Sequence, residues 1–130
     1  MSEAEVLTRV ENGLGRLTLN RPKAIHALNR SMCEIMTEAL LAWRSDPSVS
    51  SILIDHAGER GFCAGGDIAA VYRAGLAGEH ATGQRFFADE YRMNAAIGDY
   101  PKPIVAFMQG FVMGGGVGVG GHASHRIVGD

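Results

Sequence analysis

The sequence predicts a single α/β domain, and three observations carry that prediction. Two glycine-rich stretches, residues 62–67 and 113–121, each follow an apolar run and precede a helical pattern. A pair of short alternating strands opens the chain, and amphipathic helices separate the apolar runs that follow. Strands that alternate with helices in this way are typical of α/β folds with a parallel sheet.

The overall charge argues against two classes of partner. The 130-residue chain has a net charge of −2 and a pI of about 6.2, and its basic residues do not cluster. Neither nucleic acid nor an anionic membrane is therefore expected to bind. The acidic start of the chain lacks the pattern of a signal or transit peptide, which predicts a cytoplasmic location.

The first elements are two strands joined by a tight turn. Residues 6–11 alternate between apolar and polar side chains, and Asn12-Gly13 is a strong hairpin signal. Leu17 and Leu19 continue the alternation on the return strand. Residues 24–29 are predicted to form a loop before the first helix.

The first helix is predicted from apolar residues at i, i+3 and i+4 spacing. Its N-cap is either Asn29 or Ser31, the latter in a capping box with Glu34. Asp46-Pro47 is expected to end it. The apolar residues that define its buried face are Met32, Ile35, Met36, Ala39, Leu40 and Trp43.

The middle of the chain predicts a strand and two helices. Residues 51–54 are short and fully apolar after Ser51, which indicates a buried, parallel strand. Asp67 is placed to cap a short helix that Gly75 would end. Residues 75–83 are small and polar and are predicted to be a loop, and a longer helix is expected over about 84–97.

The last third contains an uncharged stretch, residues 103–121, that is long enough to span a membrane. Pro103, Gln109 and the glycines favour a strand, a turn and a helix instead. We therefore predict a buried strand over 103–108 and no membrane span. A final short strand is expected at 125–128.

The glycine-rich stretches are the main functional signal. Residues 113–121 include six glycines, each of which destabilises a helix by about 1 kcal/mol relative to alanine. Bare backbone at a helix start lets N–H groups approach a ligand oxygen closely. Two such turns in one chain favour an oxyanion hole with two converging N–H donors. Close helix–sheet packing is the alternative for either stretch taken alone.

A dinucleotide site is disfavoured. Gly116, Gly118 and Gly121 have the G-x-G-x-x-G spacing, but this motif is expected directly after a strand, and five residues, 109–113, intervene before Gly114. The chain has no nucleophile elbow and no P-loop.

The remaining cysteines and histidines are predicted to be structural or surface residues. Cys33 and Cys63 have neither zinc-ligand nor redox spacing, and they are expected to be buried free thiols in a reducing compartment. Cys63 has no basic neighbour in sequence that would make it a thiolate. His122 and His125 lack a third metal ligand, so no metal site is predicted.

Glu90 is the one carboxylate within the apolar stripe of a predicted helix. Phe86, Met93 and Ile97 stand on the same face. A carboxylate there is either solvated at the rim of the core or buried with a polar ligand group as its hydrogen-bond partner. The sequence leaves both readings open.

These motifs resemble the crotonase, or enoyl-CoA hydratase/isomerase, superfamily over the whole chain. The nearest likeness within it is to the 3-hydroxyisobutyryl-CoA hydrolases. The resemblance implies the crotonase-like ββα spiral fold of the ClpP/crotonase type, cut short after the second glycine turn. The matching segments are the opening strand pair and residues 21–24, 27–29, 62–68, 86–91 and 113–118.

The resemblance also implies roles for individual residues. The backbone N–H groups of Gly66 and Gly115 would form the oxyanion hole for a coenzyme A (CoA) thioester. Glu90 would contact the substrate. The residues that would line the CoA pocket are Lys23, Ala24, Ile25, Ala64, Asp67 and Ile68.

The activity implied is hydrolysis of a short-chain 3-hydroxyacyl-CoA thioester, as in valine catabolism. Hydratases of the superfamily carry a catalytic glutamate three residues after the middle glycine, where this chain has Gly118. Isomerases also lack that glutamate, so a hydratase or isomerase type of activity remains the alternative. Coenzyme A enters as part of the substrate, and no separate cofactor or metal is expected.

The resemblance places the catalytic glutamate and aspartate of the hydrolases downstream of residue 130. The chain is accordingly expected to be the N-terminal part of one crotonase-like domain and to be inactive alone. The strands at 52–54 and 104–108 are expected to lack covering helices, so that exposed apolar surface causes self-association, or a separate C-terminal chain would complete the domain. The rival interpretation is a non-catalytic fragment that binds acyl-CoA or depends on a partner.

Overall fold

The computed structural model describes residues 4–58, 61–63, 65, 72–73, 76–78, 80–108, 111–112 and 120–128. It confirms the predicted α/β class. In chain order the elements are β1 (Val6–Glu11), β2 (Leu14–Leu19), a 3₁₀ turn (Pro22–Ala24), α1 (Arg30–Arg44), β3 (Ser51–His56), β4 (Gly61–Cys63), α2 (His80–Gly98), β5 (Ile104–Met108), β6 (Phe111–Val112) and β7 (His125–Val128).

The strands form two sheets. The larger has the order β1-β2-β3-β5-β7, with β1 antiparallel to β2 and every later neighbour pair parallel. The predicted parallel pairing of β3 is thus confirmed. The smaller sheet is the parallel pair β4 and β6, which the sequence analysis did not predict.

The hairpin between β1 and β2 is the tight turn expected from Asn12-Gly13. Both residues have positive φ, 50° for Asn12 and 83° for Gly13, as a type I′ turn requires. The turn fixes the register, with Glu11 opposite Leu14. As a result Leu17 and Leu19 both face the core and are fully buried.

Helix α1 begins at Asn29, which decides between the two predicted caps. The Asn29 side chain accepts a hydrogen bond from the Met32 N–H at 2.9 Å, so Ser31 is not the N-cap. At the other end Lys102 Nζ donates to the carbonyl oxygens of Trp43 and Asp46. This places a cation at the negative end of the helix dipole.

Helix α2 begins at His80, earlier than predicted. The expected loop over 75–83 is therefore wrong for residues 80–83, and also for Leu76, which is helical. A helix nucleated by the apolar residues further on extends into weak helix formers, because each added residue gains a backbone hydrogen bond. Tyr72 and Arg73 are helical as expected, whereas Asp67 and Gly75 lie outside the described residues.

The core lies between the larger sheet and the helices, and α1 contacts α2, β1 and β2. Every residue of the predicted α1 stripe is buried or packed against this core. The large side chains that are almost completely buried are Leu17, Leu19, Leu28, Met32, Met36, Leu40, Ile52, Ile54, Phe62, Met93, Ile97 and Ile104.

Strand β7 is paired with β5, and all four of its residues are exposed. Ile127 and Val128 expose 48% and 74% of their surface. The exposed apolar surface was expected on the strands at 52–54 and 104–108 instead. That expectation is wrong for Ile52, Ile54, Ile104 and Ala106, which are buried, whereas Phe107 is 40% exposed. Within the described ranges, no helix is long and apolar enough to cross a membrane.

Gly15 provides a test of how α1 packs on the sheet. A Cβ at this position would lie 2.6 Å from Trp43 Cε3 and 3.0 Å from Ile52 Cδ1. We expect Gly15→Ala to lower the free energy of unfolding by about 1–3 kcal/mol through overpacking, measured by urea denaturation.

Gly98→Ala is the matched control for this substitution. Its Cβ would lie 3.8 Å from the nearest atom, on His122, which is an ordinary contact. We expect a change within about 0.5 kcal/mol. Equal stability of the parent and the Gly15→Ala variant would contradict the observed contact between Trp43 and the sheet.

Candidate functional site

Parallel topology brings three candidate segments to one edge of the larger sheet. Strands β2, β3 and β5 run in the same direction, so the residues that follow them leave from their shared carboxyl edge. These are residues 20–29, then 57–67, then 109–121. In open α/β sheets this edge is where ligands usually bind.

The small sheet pairs the two short strands that precede the glycine-rich stretches. Cys63 on β4 is the register partner of Val112 on β6, and the two strands are parallel. Each strand ends at this pair and leads directly into a glycine-rich stretch. Gly66 and Gly115 lie equally far beyond the pair, three residues in each chain segment. The two stretches therefore begin side by side, although they are far apart in sequence.

Several predicted site residues lie outside the described residues, so their placement remains a prediction. They include both oxyanion donors, and the full set is Ala64, Gly66, Asp67, Ile68 and Gly115.

The predicted CoA-binding residues near β2 form a compact turn. Pro22–Ala24 is a 3₁₀ turn, and the Ile25 N–H donates to the Pro22 carbonyl at 3.2 Å. Lys23 is exposed, and Ala24 and Ile25 are half-buried. A surface pocket of about 310 Å³ is lined by Asn20, Arg21, Pro22, Lys23 and Ala24.

Two hydrogen bonds join this turn to the first glycine stretch. The Leu28 N–H donates to the Gly65 carbonyl at 2.6 Å, and Cys63 Sγ donates to the His26 carbonyl at 3.1 Å. The segment predicted to bind CoA is therefore held against the segment predicted to bind the thioester oxygen.

Glu90 is largely buried on the core-facing side of α2. Its side chain is 9% exposed on the α2 face that also buries Phe86, Met93 and Ile97. Burial raises the pKa of its carboxyl group. No hydrogen bond to this carboxyl is recorded from the described part of the chain.

Both cysteine thiols have a raised pKa. Burial first, and the Glu90 charge in addition, raises the pKa of Cys33 to about 12. The pKa of Cys63 is raised to about 11, again mainly by burial and also by Glu90. Both thiols are buried, free and protonated at neutral pH, as predicted.

The residues described contain no cluster of three or more His, Cys, Asp or Glu side chains able to hold a metal. His125 is exposed and contacts the Ser124 hydroxyl.

The sequence analysis missed His26. Its side chain is buried, and both ring nitrogens are engaged, with the Arg21 N–H and the Ala57 carbonyl. The sequence placed His26 directly after the candidate CoA-binding residues 23–25. A single histidine in a loop, however, gives no indication that its ring is buried.

Comparison with known proteins identifies the protein family. The profile of the enoyl-CoA hydratase/isomerase family matches residues 14–130. The chain therefore belongs to that family, and its fold is the crotonase-like α/β fold expected from the sequence.

Among curated relatives, the mitochondrial 3-hydroxyisobutyryl-CoA hydrolase of Gallus gallus is 44% identical over 126 residues, 97% of this chain and 32% of that protein. 3-Hydroxyisobutyryl-CoA hydrolase 1 of Arabidopsis thaliana is 40% identical over 126 residues. It is covered to 33% of its length, so the chain spans about a third of the length of the relatives it matches.

The similar solved structures are named as other enzymes than the curated relatives. A carnitinyl-CoA dehydratase from Mycobacterium thermoresistibile has a TM-score of 0.93 at 55% identity, over 97% of this chain and 37% of that one. An enoyl-CoA hydratase from Rhodobacter sphaeroides 2.4.1 has a TM-score of 0.92 at 54% identity, over 96% of this chain and 37% of that one.

Proposed function

We propose that this chain supplies the oxyanion hole and CoA-binding part of an enzyme that hydrolyses short-chain 3-hydroxyacyl-CoA thioesters. The observation that carries the proposal is the pairing of β4 with β6. It starts the two glycine stretches from neighbouring positions, with Cys63 opposite Val112. Two backbone donors that converge on one oxygen need this arrangement.

In this proposal the N–H groups of Gly66 and Gly115 hold the thioester oxygen. As water or a carboxylate attacks the carbonyl carbon, negative charge develops on that oxygen, and the two donors stabilise it more than they stabilise the substrate. Residues 23–25 hold the CoA portion together with Ala64, Asp67 and Ile68.

Glu90 is assigned to the hydroxyl of the acyl group. A buried carboxylate without a donor among the described residues is stabilised by a substrate O–H. Its raised pKa stems from burial alone. The bound hydroxyl would offset this by favouring the charged form.

Hydrolysis is favoured over hydration by two observations. The curated relatives named above are 3-hydroxyisobutyryl-CoA hydrolases. In addition, Gly118 occupies the position where hydratases of the superfamily carry a catalytic glutamate. Hydratase or isomerase chemistry is the second candidate, because the solved structures at 55% and 54% identity are named a dehydratase and a hydratase.

The acid–base carboxylate of the reaction is proposed to come from outside these 130 residues. Tests of catalysis therefore use what we call the completed protein: residues 1–130 followed by the part of the Gallus gallus relative that lies beyond the matched segment. The genomic sequence after codon 130 provides an independent check. A continuation in frame with a Pro-Glu pair and a later aspartate supports the proposal.

Glu90→Gln in the completed protein tests the hydroxyl assignment. Loss of a hydrogen bond to a charged group is worth about 1.5–3 kcal/mol, so we expect kcat/KM for a 3-hydroxyacyl-CoA to fall roughly 10- to 100-fold. For the analogue without the hydroxyl, kcat/KM is expected to change much less, because this substrate makes no such hydrogen bond.

Glu38→Gln is the control, since Glu38 is exposed on α1. It should leave both substrates unaffected. Equal losses on the hydroxylated substrate and its deoxy analogue after Glu90→Gln would reduce Glu90 to a structural role.

A further inference from the structure

His26 is a buried polar residue in the loop between β2 and α1, with 1% of its surface exposed. The Arg21 N–H donates to its Nδ1 at 2.9 Å, and its Nε2 lies 2.7 Å from the Ala57 carbonyl oxygen. A backbone N–H only donates and a carbonyl only accepts. The ring is therefore neutral, with its hydrogen on Nε2.

The backbone around His26 is also constrained. Its φ is 54° and that of Ile25 is 48°, both in the left-handed region that side chains other than glycine rarely adopt. Such conformations persist where surrounding contacts impose them. Here the His26 N–H donates to the Arg21 carbonyl at 2.9 Å, and the Cys63 thiol donates to the His26 carbonyl.

The ring bridges a turn that holds candidate ligand residues. Arg21 and His26 are the ends of this turn, and residues 23–25 lie between them. The bond from the Arg21 N–H closes the turn, and the bond to Ala57 attaches it to the segment after β3. Without the ring, the turn would keep its internal backbone bonds and lose this side-chain link to the sheet.

We infer that His26 is a positioning residue for coenzyme A: its neutral ring holds residues 23–25 in place, and protonation of the ring weakens CoA binding. This inference rests on the proposed function, which assigns residues 23–25 to the CoA pocket.

Protonation acts through Nδ1. The added hydrogen would point at the Arg21 N–H, so a donor would face a donor and that hydrogen bond would be lost. Among the described residues, the charged or titratable groups that act on the ring are the Arg21 guanidinium on the same loop and the His56 ring, at 5.6 Å between centroids. The Cys63 thiol on β4 bonds the His26 backbone carbonyl rather than the ring. Arg21 is itself paired with Glu5 at 3.1 Å.

Burial, followed by the charges of His56 and Arg21, lowers the pKa of His26 from its usual value of 6.5, while the Ala57 bond opposes the shift. The folded protein therefore binds this proton less readily than the unfolded chain. The contribution of the neutral His26 ring to the free energy of unfolding is present above pH 6.5 and decreases as the pH falls below that value. The loop is secured at neutral pH and released in acid.

The test uses the 130-residue protein and two readouts. NMR of the His26 ring locates its titration midpoint, which we expect below 6.5, and the Arg21 amide should shift with the same midpoint without ligand. Calorimetry then measures Kd for free coenzyme A on both sides of that midpoint. Loss of one hydrogen bond predicts roughly tenfold weaker binding in acid.

Two substitutions separate positioning from bulk structure. His26→Asn places an amide oxygen where Nδ1 was, tolerates positive φ and does not titrate. We expect it to retain CoA affinity at neutral pH within about threefold and to lose the acid weakening. His26→Ala should bind weakly at both pH values. His125→Asn, on exposed β7, should behave like the parent.

The phosphates of coenzyme A also ionise in this range, so the ratio of parent to His26→Asn affinity is the quantity compared. A ratio that does not change with pH, or tighter binding by the parent in acid, overturns the inference. Failure to bind coenzyme A more tightly than NAD at any pH would instead remove the proposed function. In that case the NMR titration still tests the ring: an Arg21 amide whose chemical shift does not change with the His26 titration rejects the positioning role.

Discussion

Replacing Gly115 with proline in the completed protein is expected to reduce kcat for thioester hydrolysis by about 10²–10³-fold, or about 3–4 kcal/mol. Proline removes the backbone N–H that we assign to the developing oxyanion. Because the bond forms mainly in the transition state, KM for the acyl-CoA should change little. The measurement is the rate of free thiol release at saturating substrate.

Gly115→Ala is the matched control, since alanine restricts the backbone at the same position but retains the N–H. We expect most of the activity lost in Gly115→Pro to be present in Gly115→Ala. Thermal unfolding of both variants checks that proline has not disrupted the turn. A Gly115→Pro variant that folds normally and keeps its kcat would show that the oxyanion assignment is wrong.

The second large effect concerns residues 1–130 without any addition. This chain is expected to cleave acyl-CoA at no more than the background rate. Oxyanion donors lower the barrier to attack but provide no base, and general acid–base catalysis contributes typically about 10²–10⁴-fold. Glu90 is assigned to the acyl hydroxyl and Asp67 to a helix cap, so neither is an evident replacement.

The same sample tests the expected self-association. Ile127 and Val128 on β7 expose apolar surface that is expected to favour contact between chains. Size-exclusion chromatography should show species larger than a monomer. A monodisperse monomer with kcat of about 1–10³ s⁻¹ would contradict both expectations.

Local signals predicted most elements of the fold. Asn12-Gly13 specified the hairpin because its turn type depends on those two residues alone. The apolar spacing of α1 was sufficient to predict that helix, because the pattern lies within the segment itself. The choice between Asn29 and Ser31 as the N-cap could not be made from sequence, since both residues are good caps and the decision depends on the backbone around Asn29.

The small sheet could not be predicted. Strands β4 and β6 have three and two residues, too few for a pattern of alternation. They also pair across a long sequence separation, between Cys63 and Val112. The sequence indicated two turns with converging donors, but not the non-local strand pairing from which both glycine-rich stretches start.

For the candidate site, the sequence indicated which residues to consider but not what those residues contact. The position of Glu90 on an apolar face was visible in the sequence, but its burial depends on how α2 packs. The role of His26 depends on Arg21 and Ala57, the latter at the end of another strand. Neither environment is encoded by neighbouring residues.

The most direct test of the central claim is to give the completed protein two substrates in parallel. One is 3-hydroxyisobutyryl-CoA, followed by release of free coenzyme A thiol. The other is an unsaturated acyl-CoA, followed by loss of the double-bond absorbance. Our account predicts thiol release from the first and no hydration of the second. Hydration of the unsaturated substrate without thiol release from the hydroxylated one would contradict it.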